Sequence, residues 1–455
     1  ARGGGGGGGE RLSESHDVID DRVGNGGGGG RAFQSGSMRP SFSVESLEGM
    51  LTNISTSSHT SQAEAQGVVR LGPEGKVPFQ LLLCNDDGCE VQEPPDRTIR
   101  CRQQGMPHSQ FAWVQTPRNV LIIKKPNDSA TTAVLPHVVT LLEKKNIRAW
   151  VEPAVHWETG LGTTWEQDDD PHLDRIIDFI VCLGGDGVIL HASKLFQGPV
   201  PPLLGFHFGS MGFLTNHPPD SMAQSLLQSV GRGKPVHNIK GGVPITLRMR
   251  LECTLVKAHN SVRNGGDGTA ERSFTVLNEV LVDRGPSPYL SKIEAYDRGQ
   301  HITTIQADGV MLATATGSTA YSVSAGGSMV HPNVPAILMT PICPHTLSFR
   351  PVILPDSVEV ELRVADDARC SAWVSFDGKE RCELCSGDSV FIRMSQFPVP
   401  TVNFADQTGD FISSLRRCLR WNEREEQQPL DEQTMKALRK ISARTSDEGN
   451  GNGGE

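Results

Sequence analysis

The chain contains no apolar run near the roughly 18 residues that a membrane-spanning helix needs, and no apolar signal-peptide core near its N-terminus. Its basic residues form no long cluster and the formal net charge is −10, so electrostatics gives no footing for nucleic acid as a partner. Its ten cysteines lack the dense, regular spacing of a secreted scaffold, and free thiols in a reducing compartment are expected. The pair Cys382 and Cys385 has no second pair to complete a zinc set, and reads as ordinary thiols. These absences predict a soluble cytoplasmic protein with no membrane partner, in which the Asn53-Ile54-Ser55 and Asn127-Asp128-Ser129 glycosylation patterns are idle. The sequence starts at Ala1, which leaves a leader before it an open question.

Glycine is plentiful, and much of it lies in blocks at Gly3 to Gly9, Gly26 to Gly30 and Gly449 to Gly454. Such blocks mark linkers or disordered tails. A chain of 455 residues has room for two or three domains. Residues 1–115 read as a disordered Gly/Ser-rich tail, 116–238 as an α/β domain, 239–405 as a β-rich domain, 406–422 as a helix docking on the core, and 423–455 as a charged tail. Within the first tail, Ser41 and Ser43 follow Arg39 in a setting a kinase could reach, but the composition favours a solvated serine-rich linker.

From Asn119 apolar runs alternate with helical patterns. Val120 to Lys125, Ala149 to Pro153, Phe179 to Leu183 and Pro202 to Phe206 read as strands; Ala130 to Lys145 and Ser221 to Val230 read as helices. That alternation predicts a Rossmann-like parallel sheet with its binding crevice at the carboxyl ends of the strands. There stands Gly184-Gly185-Asp186-Gly187, a tight turn between a buried strand and a helix. Such a turn brings bare N–H groups and a helix N-terminus up to a phosphate. Asp186 is costly beside an anion unless it accepts a proton from an attacking hydroxyl or holds a divalent metal; a plain Gly-Asp-Gly β-turn is the competing reading. Nearby, Gly205 to Leu214 forms a second Gly-rich loop with His207, which either approaches a substrate or is an ordinary loop histidine. Asp168-Asp169-Asp170 reads as a solvated loop, not a metal cluster.

Beyond Gly242 short alternating runs separated by turns predict a β-sandwich-like domain, with Asn264 to Gly268 as a hairpin tip. Inside it, Thr314, Thr316, Ser318 and Thr319 surround Gly317, and Ala320 to Gly327 reads as a small-residue helix. Hydroxyls and amides there suit a diphosphate or ribose, and local backbone capping is the alternative. The polar pair Asn278-Glu279 interrupts the apolar run VLNEVLV, which is expensive unless satisfied. Together with Asp308 these residues predict a polar ligand held between two domains.

Four motifs occur in order: Gly184-Gly185-Asp186-Gly187, Asn278-Glu279, Asp308-Gly309 with Thr316-Gly317-Ser318-Thr319-Ala320-Tyr321, and Ser375-Phe376-Asp377-Gly378. With the further run Ile342 to Pro351, the stretch from Asn119 to Trp421 resembles the NAD kinases, in particular the animal cytosolic type. The resemblance implies ATP and NAD as substrates, with Mg²⁺ or another divalent cation carried by ATP and no side-chain metal ligand assigned, and a homo-oligomer, commonly a tetramer. It implies that Asp186 is the catalytic carboxylate, that Gly184, Gly185, Gly187, Gly317 and Ser318 hold ATP phosphates, and that Asn278, Glu279, Asp308, Thr319, Ala320, Tyr321, Ser324 and Asp377 bind NAD. Tyr321 has a packed core aromatic as its other reading. Val188 stands where the family usually has Thr, and Ala315 where it usually has Pro; altered affinity, not lost activity, is the expectation. Two rivals are a diacylglycerol- or sphingosine-type lipid kinase, which shares the glycine turn but needs a greasy pocket, and a non-catalytic NAD(H)-binding sensor.

Overall fold

The computed structural model describes residues 75–85, 88–101, 108–166, 172–231, 242–258, 272–346, 348–423 and 431–448, the last eight as backbone only. The readings at Ser41, Ser43, Asp168 to Asp170, Asn264 to Gly268 and the glycine blocks lie outside the described residues.

The strands of the first sheet, in chain order, are β1 (Phe79–Asn85), β2 (Gly88–Gln92), β3 (His108–Trp113), β4 (Asn119–Lys124), β5 (Arg148–Val151), β6 (Phe179–Gly184) and β7 (Leu203–His207), then β8 (Val243–Arg248) and, much later, β20 (Val399–Val402). Their spatial order is β2-β1-β3-β8-β20-β7-β6-β4-β5. The run β20-β7-β6-β4-β5 is parallel, and β8, β3, β1 and β2 extend it antiparallel. The parallel strands are covered on both faces, so β4 and β6 read as unbroken apolar runs. On one face Val120, Ile122, Val181 and Leu183 pack under helices α1 (Ser129–Glu143) and α5 (Met222–Val230). Between these in the chain come α2 (Pro153–Thr159), α3 (Leu173–Ile176) and α4 (Asp186–Leu195). On the opposite face Leu121, Ile123, Ile180 and Cys182 meet Val188, Ile189 and Ala192 of α4.

Three expectations are corrected here. Strands β1, β2 and β3 are not tail: they pair into the sheet, and Phe79, Phe111, Trp113 and Phe179 form a buried aromatic cluster with ring centroids 5.3–6.3 Å apart. They join the rest of the sheet through β3 alone, which pairs with β8, more than a hundred residues later in the chain. Not all cysteines are free thiols, since Cys84 and Cys89 form a disulfide across the β1–β2 hairpin. The boundary at 239 also moves, because β8 and β20 belong to the first sheet and the second sheet is an insertion between them.

That second sheet has eleven antiparallel strands: β9 (Leu251–Val256), β10 (Arg272–Val276), β11 (Glu279–Asp283), β12 (Ser291–Asp297), β13 (Gln300–Thr314), β14 (Ala336–Pro344), β15 (Val352–Pro355), β16 (Val360–Val364), β17 (Ala372–Phe376), β18 (Lys379–Leu384) and β19 (Ser389–Met394). It curls around a core of inward alternating residues such as Ile293, Ala295, Val310, Leu312, Val360 and Leu362. The long β13 holds β12 along its first half and β11 along its second.

Arg250 lies where the chain crosses from the first sheet to the second and is fully buried. Its guanidinium donates to the carbonyls of Phe397 (2.8 Å), Ser193 (3.2 Å), Phe196 (2.6 Å) and Gly198. It thereby ties the outgoing crossing, the returning crossing and the end of α4 together. Burial lowers its pKa to about 10, against the opposing pull of Asp377.

After Asn278 and β13 come a 3₁₀ turn, Gly317–Thr319, and a four-residue helix, α6 (Tyr321–Ser324), shorter than the pattern predicts. Helix α7 (Gln407–Leu419) meets the loop after β7, where Ser414 Oγ donates to the Gly212 carbonyl (3.3 Å) and to Asn216 Oδ1 (3.2 Å). The charged stretch expected as tail contains a further helix, α8 (Glu432–Glu448), whose side chains through 440 are exposed.

Candidate functional site

Strand β6 ends at the glycine turn and α4 starts inside it, with Gly185 as N-cap and Asp186 in the first turn. The Asp186 carboxylate faces the loop after β7. Oδ1 accepts from the N–H groups of Leu214 (3.1 Å) and Thr215 (3.1 Å) and from Thr215 Oγ1 (3.0 Å), while Oδ2 accepts from Phe213 N–H (2.8 Å). Such a close fit requires glycine at 212, where a Cβ would lie 2.0 Å from Asp186 Oδ1. Arg248 donates to the Phe213 carbonyl (3.3 Å) and to Thr401 Oγ1 (3.1 Å), securing the loop from behind. Burial lowers the Arg248 pKa to about 10, opposed by the charges of Asp186 and Asp410.

Beside this turn opens a cavity of about 780 Å³ at the carboxyl ends of β4 and β6. Gly184, Gly185 and Gly187 form one wall, Lys124 and Lys125 another, and Lys379, at the start of β18, reaches it from the second sheet. Glu152 and Glu158 also line it, paired with His191 (2.7 Å) and Lys124 (3.1 Å) respectively. A smaller cavity of about 340 Å³ adjoins it, sharing Gly187 and Lys379 and lined by Phe274, Phe376 and Asp377. Three lysines, bare glycine amides and a helix N-terminus around a volume of this size suit a polyphosphate.

A second polar centre lies where β11 begins. The Asp377 carboxylate accepts from the N–H groups of Leu277 (2.8 Å), Asn278 (2.8 Å) and Glu279 (3.1 Å). Burial raises its pKa and those three bonds oppose the rise. Asp377 takes a left-handed conformation (φ 48°) and Gly378 follows it, turning β17 into β18. The Asn278-Glu279 interruption is thus satisfied at its backbone by a residue a hundred positions away. Glu279 is buried, and its Oε2 has no hydrogen-bond partner. Burial first, and Asp377 second, push its pKa up to about 7.

The Thr-rich turn packs against the same segment. Thr314 Oγ1 donates to the Leu277 carbonyl (2.7 Å) and accepts from Gly317 N–H (2.9 Å). A Cβ at Gly317 would meet the Asn278 carbonyl oxygen at 2.1 Å, so this approach excludes any other residue. Thr316, whose buried Oγ1 has no partner, and Thr319 face Phe213, Arg248 and Asp410 across a narrow hollow. That hollow lies between the Asp186 loop, at Phe213, and the Thr-rich turn.

The predicted residues therefore separate into groups. Gly184, Gly185 and Gly187 line the large cavity, and Asp186, between them in the chain, turns its carboxylate to the 213–215 amides. Asn278, Glu279 and Asp377 gather at the second centre, and Thr319 lines the separate hollow by Phe213 and Arg248. The expectation that Gly317 and Ser318 hold phosphate is corrected: both are buried, and Ser318 Oγ donates to the carbonyls of Ala315 (2.6 Å) and Val330 (3.2 Å) and accepts from Val330 N–H (2.9 Å). They build the turn, as local capping predicts. Asp308 stands apart, paired with Arg284 (2.8 Å) at the far end of β11, about 20 Å along the strand from Asn278. Tyr321 and Ser324 are exposed on α6, so Tyr321 is not a core aromatic. Ala320 is half-buried at the start of α6.

His207 ends β7 half-buried, its Nδ1 without a partner and its pKa lowered by burial; its neighbours Phe208, Gly209 and Ser210 line the cavity and it does not. Val188 lines the cavity with its side chain in the core, and Ala315 is buried with Ala313, Val330 and Leu338. Sequence reasoning found the Gly205 to Leu214 loop that contains Gly212, and missed Lys124, Glu158, Thr215 and Arg248. For Lys124 a signal was available in Lys124-Lys125 at the carboxyl end of a parallel strand, where the crevice was expected.

Residues 120–234 match the family model of the ATP-NAD kinase N-terminal domain, and residues 277–404 that of the ATP-NAD kinase C-terminal domain. The chain is 47% identical over 374 residues to "NAD kinase 2, chloroplastic" of Arabidopsis thaliana, covering 81% of this chain and 37% of that protein. It is 43% identical over 368 residues to "Putative NAD kinase 3" of Oryza sativa subsp. japonica, covering 77% of this chain and 72% of that protein. The crystal structure of yeast NADH kinase complexed with NADH superposes with a TM-score of 0.61 at 31% identity, over 71% of this chain and 93% of that one. The chain thus spans little more than a third of the Arabidopsis relative, 37%, and most of the yeast one, 93%.

Proposed function

The chain belongs to the NAD kinase family, and from that premise we propose that it transfers the γ-phosphoryl group of ATP to the 2′-hydroxyl of the adenosine ribose of NAD, giving NADP. The observation that carries this reading is the adjacency of two unlike centres. A lysine-lined cavity at a glycine turn suits the donor, and the adjoining cavity at Asp377, whose carboxylate holds the Asn278 segment, suits a nucleotide acceptor; the two share Gly187, the residue after Asp186. In this reading the glycine turn and α4 hold the donor phosphates and Asn278, Glu279, Asp377 and Thr319 hold NAD. Asp186 Oδ2, which accepts one hydrogen bond, from Phe213 N–H, takes the hydroxyl proton or orients it for in-line attack. Phosphoryl transfer needs little covalent chemistry from the protein, so rigid placement of that carboxylate is the main contribution.

Mg²⁺ enters with ATP in this proposal and neutralises charge on its phosphates. Glu152 is the cavity-lining carboxylate that would add a ligand. We also read the protein as a homo-oligomer, a tetramer by resemblance. The distance of Asp308 from Asn278 within one chain supports this, as do the exposed Tyr289, Leu290 and Ile302 on the Asp308 side of the sheet. No helix among the described residues is long and apolar enough to cross a membrane. A cytoplasmic setting is our reading of the compartment, although the Arabidopsis relative is named chloroplastic.

NADP formation from NAD, ATP and Mg²⁺ by the purified chain, with Asp186→Asn alongside, tests the proposal. Turnover by wild type, and a fall of several orders of magnitude in a variant that still binds NAD, supports both the reaction and the role of Asp186. NAD binding without turnover in either protein would instead support an NAD(H)-binding sensor.

A further inference from the structure

Lys124 is an unusual residue for its position. It is the last residue of β4, its side chain is 1% exposed, and yet it lines the large cavity next to the glycine turn. The register of the parallel pair sets it beside Leu183, the residue before Gly184. Its ammonium donates to Thr132 Oγ1 (3.1 Å), whose hydroxyl is fixed in turn on the Asp128 carbonyl (2.9 Å). Its charge is met by Glu158 (3.1 Å), near the end of α2, and that side chain is 52% exposed.

The two partners of this ion pair are therefore unequal. A buried ammonium without a counterion is costly, whereas a half-exposed carboxylate returns to water cheaply. An ammonium has three donors, and Thr132 and Glu158 occupy two, which leaves one for the cavity. The other lysines are less suited: Lys125 is exposed and tied to the α1 cap Asp128 (3.3 Å), and Lys379 is exposed on the β17–β18 turn. Of the two carboxylates lining the cavity, Glu152 lies on His191 Nε2 (2.7 Å) and Glu158 on Lys124 itself (3.1 Å). Glu158 is then the carboxylate that a polyphosphate binding Lys124 would displace.

We propose that Lys124 is the cation that receives the donor's terminal phosphates, and that Glu158 is its placeholder, neutralising the ammonium in the empty site and leaving when phosphate arrives. This rests on reading the cavity as the donor site. Lys124 acts as a substrate-binding residue and Glu158 as a positioning residue that competes with the donor for it. The two substitutions must then act in opposite directions. Removing the cation weakens donor binding, and removing the carboxylate strengthens it.

The test is ATP·Mg²⁺ binding by titration calorimetry on the whole chain without acceptor, comparing wild type, Lys124→Met, Lys124→Arg and Glu158→Gln, followed by KM for ATP and for NAD. Loss of one charge-assisted phosphate contact predicts that Lys124→Met weakens ATP by about 10- to 100-fold, with Lys124→Arg recovering part of it. Glu158→Gln should tighten ATP by about three- to tenfold, with KM for NAD changed by less than about twofold in each. If Glu158→Gln weakens ATP as Lys124→Met does, the ion pair is structural and the proposal is overturned. Unchanged ATP binding in both variants overturns it too. Should Lys124→Met fail to fold, Glu158→Gln decides alone, because its side chain is half-exposed. The kinase reading is judged separately: ATP binding with these dependences but no NADP would sink that reading and leave this one, and NADP formation with donor binding indifferent to Lys124 would do the reverse.

Discussion

Replacing Gly212 by Ala puts a methyl group where the Asp186 carboxylate now lies, 2.0 Å from Oδ1, 2.3 Å from Cγ and 2.4 Å from Oδ2. No small adjustment relieves this, because three of the four hydrogen bonds to that carboxylate come from the backbone of the next three residues. Either the loop lifts off or the carboxylate turns out, and in both cases the bonds from Phe213, Leu214 and Thr215 are lost together. A hydrogen bond to a charged group contributes about 1.5–3 kcal/mol, and water replaces part of it at a half-buried site, so a net loss of about 2–4 kcal/mol is expected. In thermal unfolding that corresponds to a fall of about 2–6 °C in Tm for a chain of this size. Initial rates of NADP formation should fall by at least about 100-fold, since the proposed catalytic carboxylate is displaced. A variant that melts within a degree of wild type and turns over normally would refute the geometry from which this is argued.

Gly317→Ala should act at the other centre, where the new Cβ meets the Asn278 carbonyl at 2.1 Å. It should raise KM for NAD by about tenfold or more while leaving calorimetric ATP binding near wild type, and equal effects on both substrates would contradict the assignment. Glu279 gives a pH prediction. Its folded pKa, about 7, lies above the unfolded carboxyl value, so the folded state holds the proton more tightly, and the group's cost to stability appears as pH rises from about 4.5 through 7. Glu279→Gln should therefore gain up to about 3 kcal/mol relative to wild type between pH 5 and pH 8 in denaturant melts. A difference independent of pH would show that the carboxyl is not buried as described.

Local signals carried much of this protein. The unbroken apolar runs at Val120 and Phe179, cut by Gly184 to Gly187, required a buried parallel strand turning into a helix, and the rule for strand ends put a crevice there. The Asn278-Glu279 pair was visible as a polar defect in an apolar strand. What local pattern does not contain is partnership over long separations. Strands β1 to β3 are too short and irregular to declare themselves, and they enter the sheet where β3 meets the edge of β8. Ser318 looked like a phosphate hydroxyl until the fold set Val330 against it. Asp186 looked like a lone carboxylate beside a phosphate turn, and its four donors come from residues 213–215, some 27–29 positions along the chain. Lys124 and Glu158 are unremarkable lysine and glutamate in sequence, and only the packing of α2 over the end of β4 buries one charge while leaving the other half in water. The sequence by itself determined which residues turn, pair and repel within a few positions of each other, because propensity and periodicity are local. The tertiary structure alone decided which charges lost their water and which amides found a carboxylate, because both depend on neighbours the chain supplies from far away.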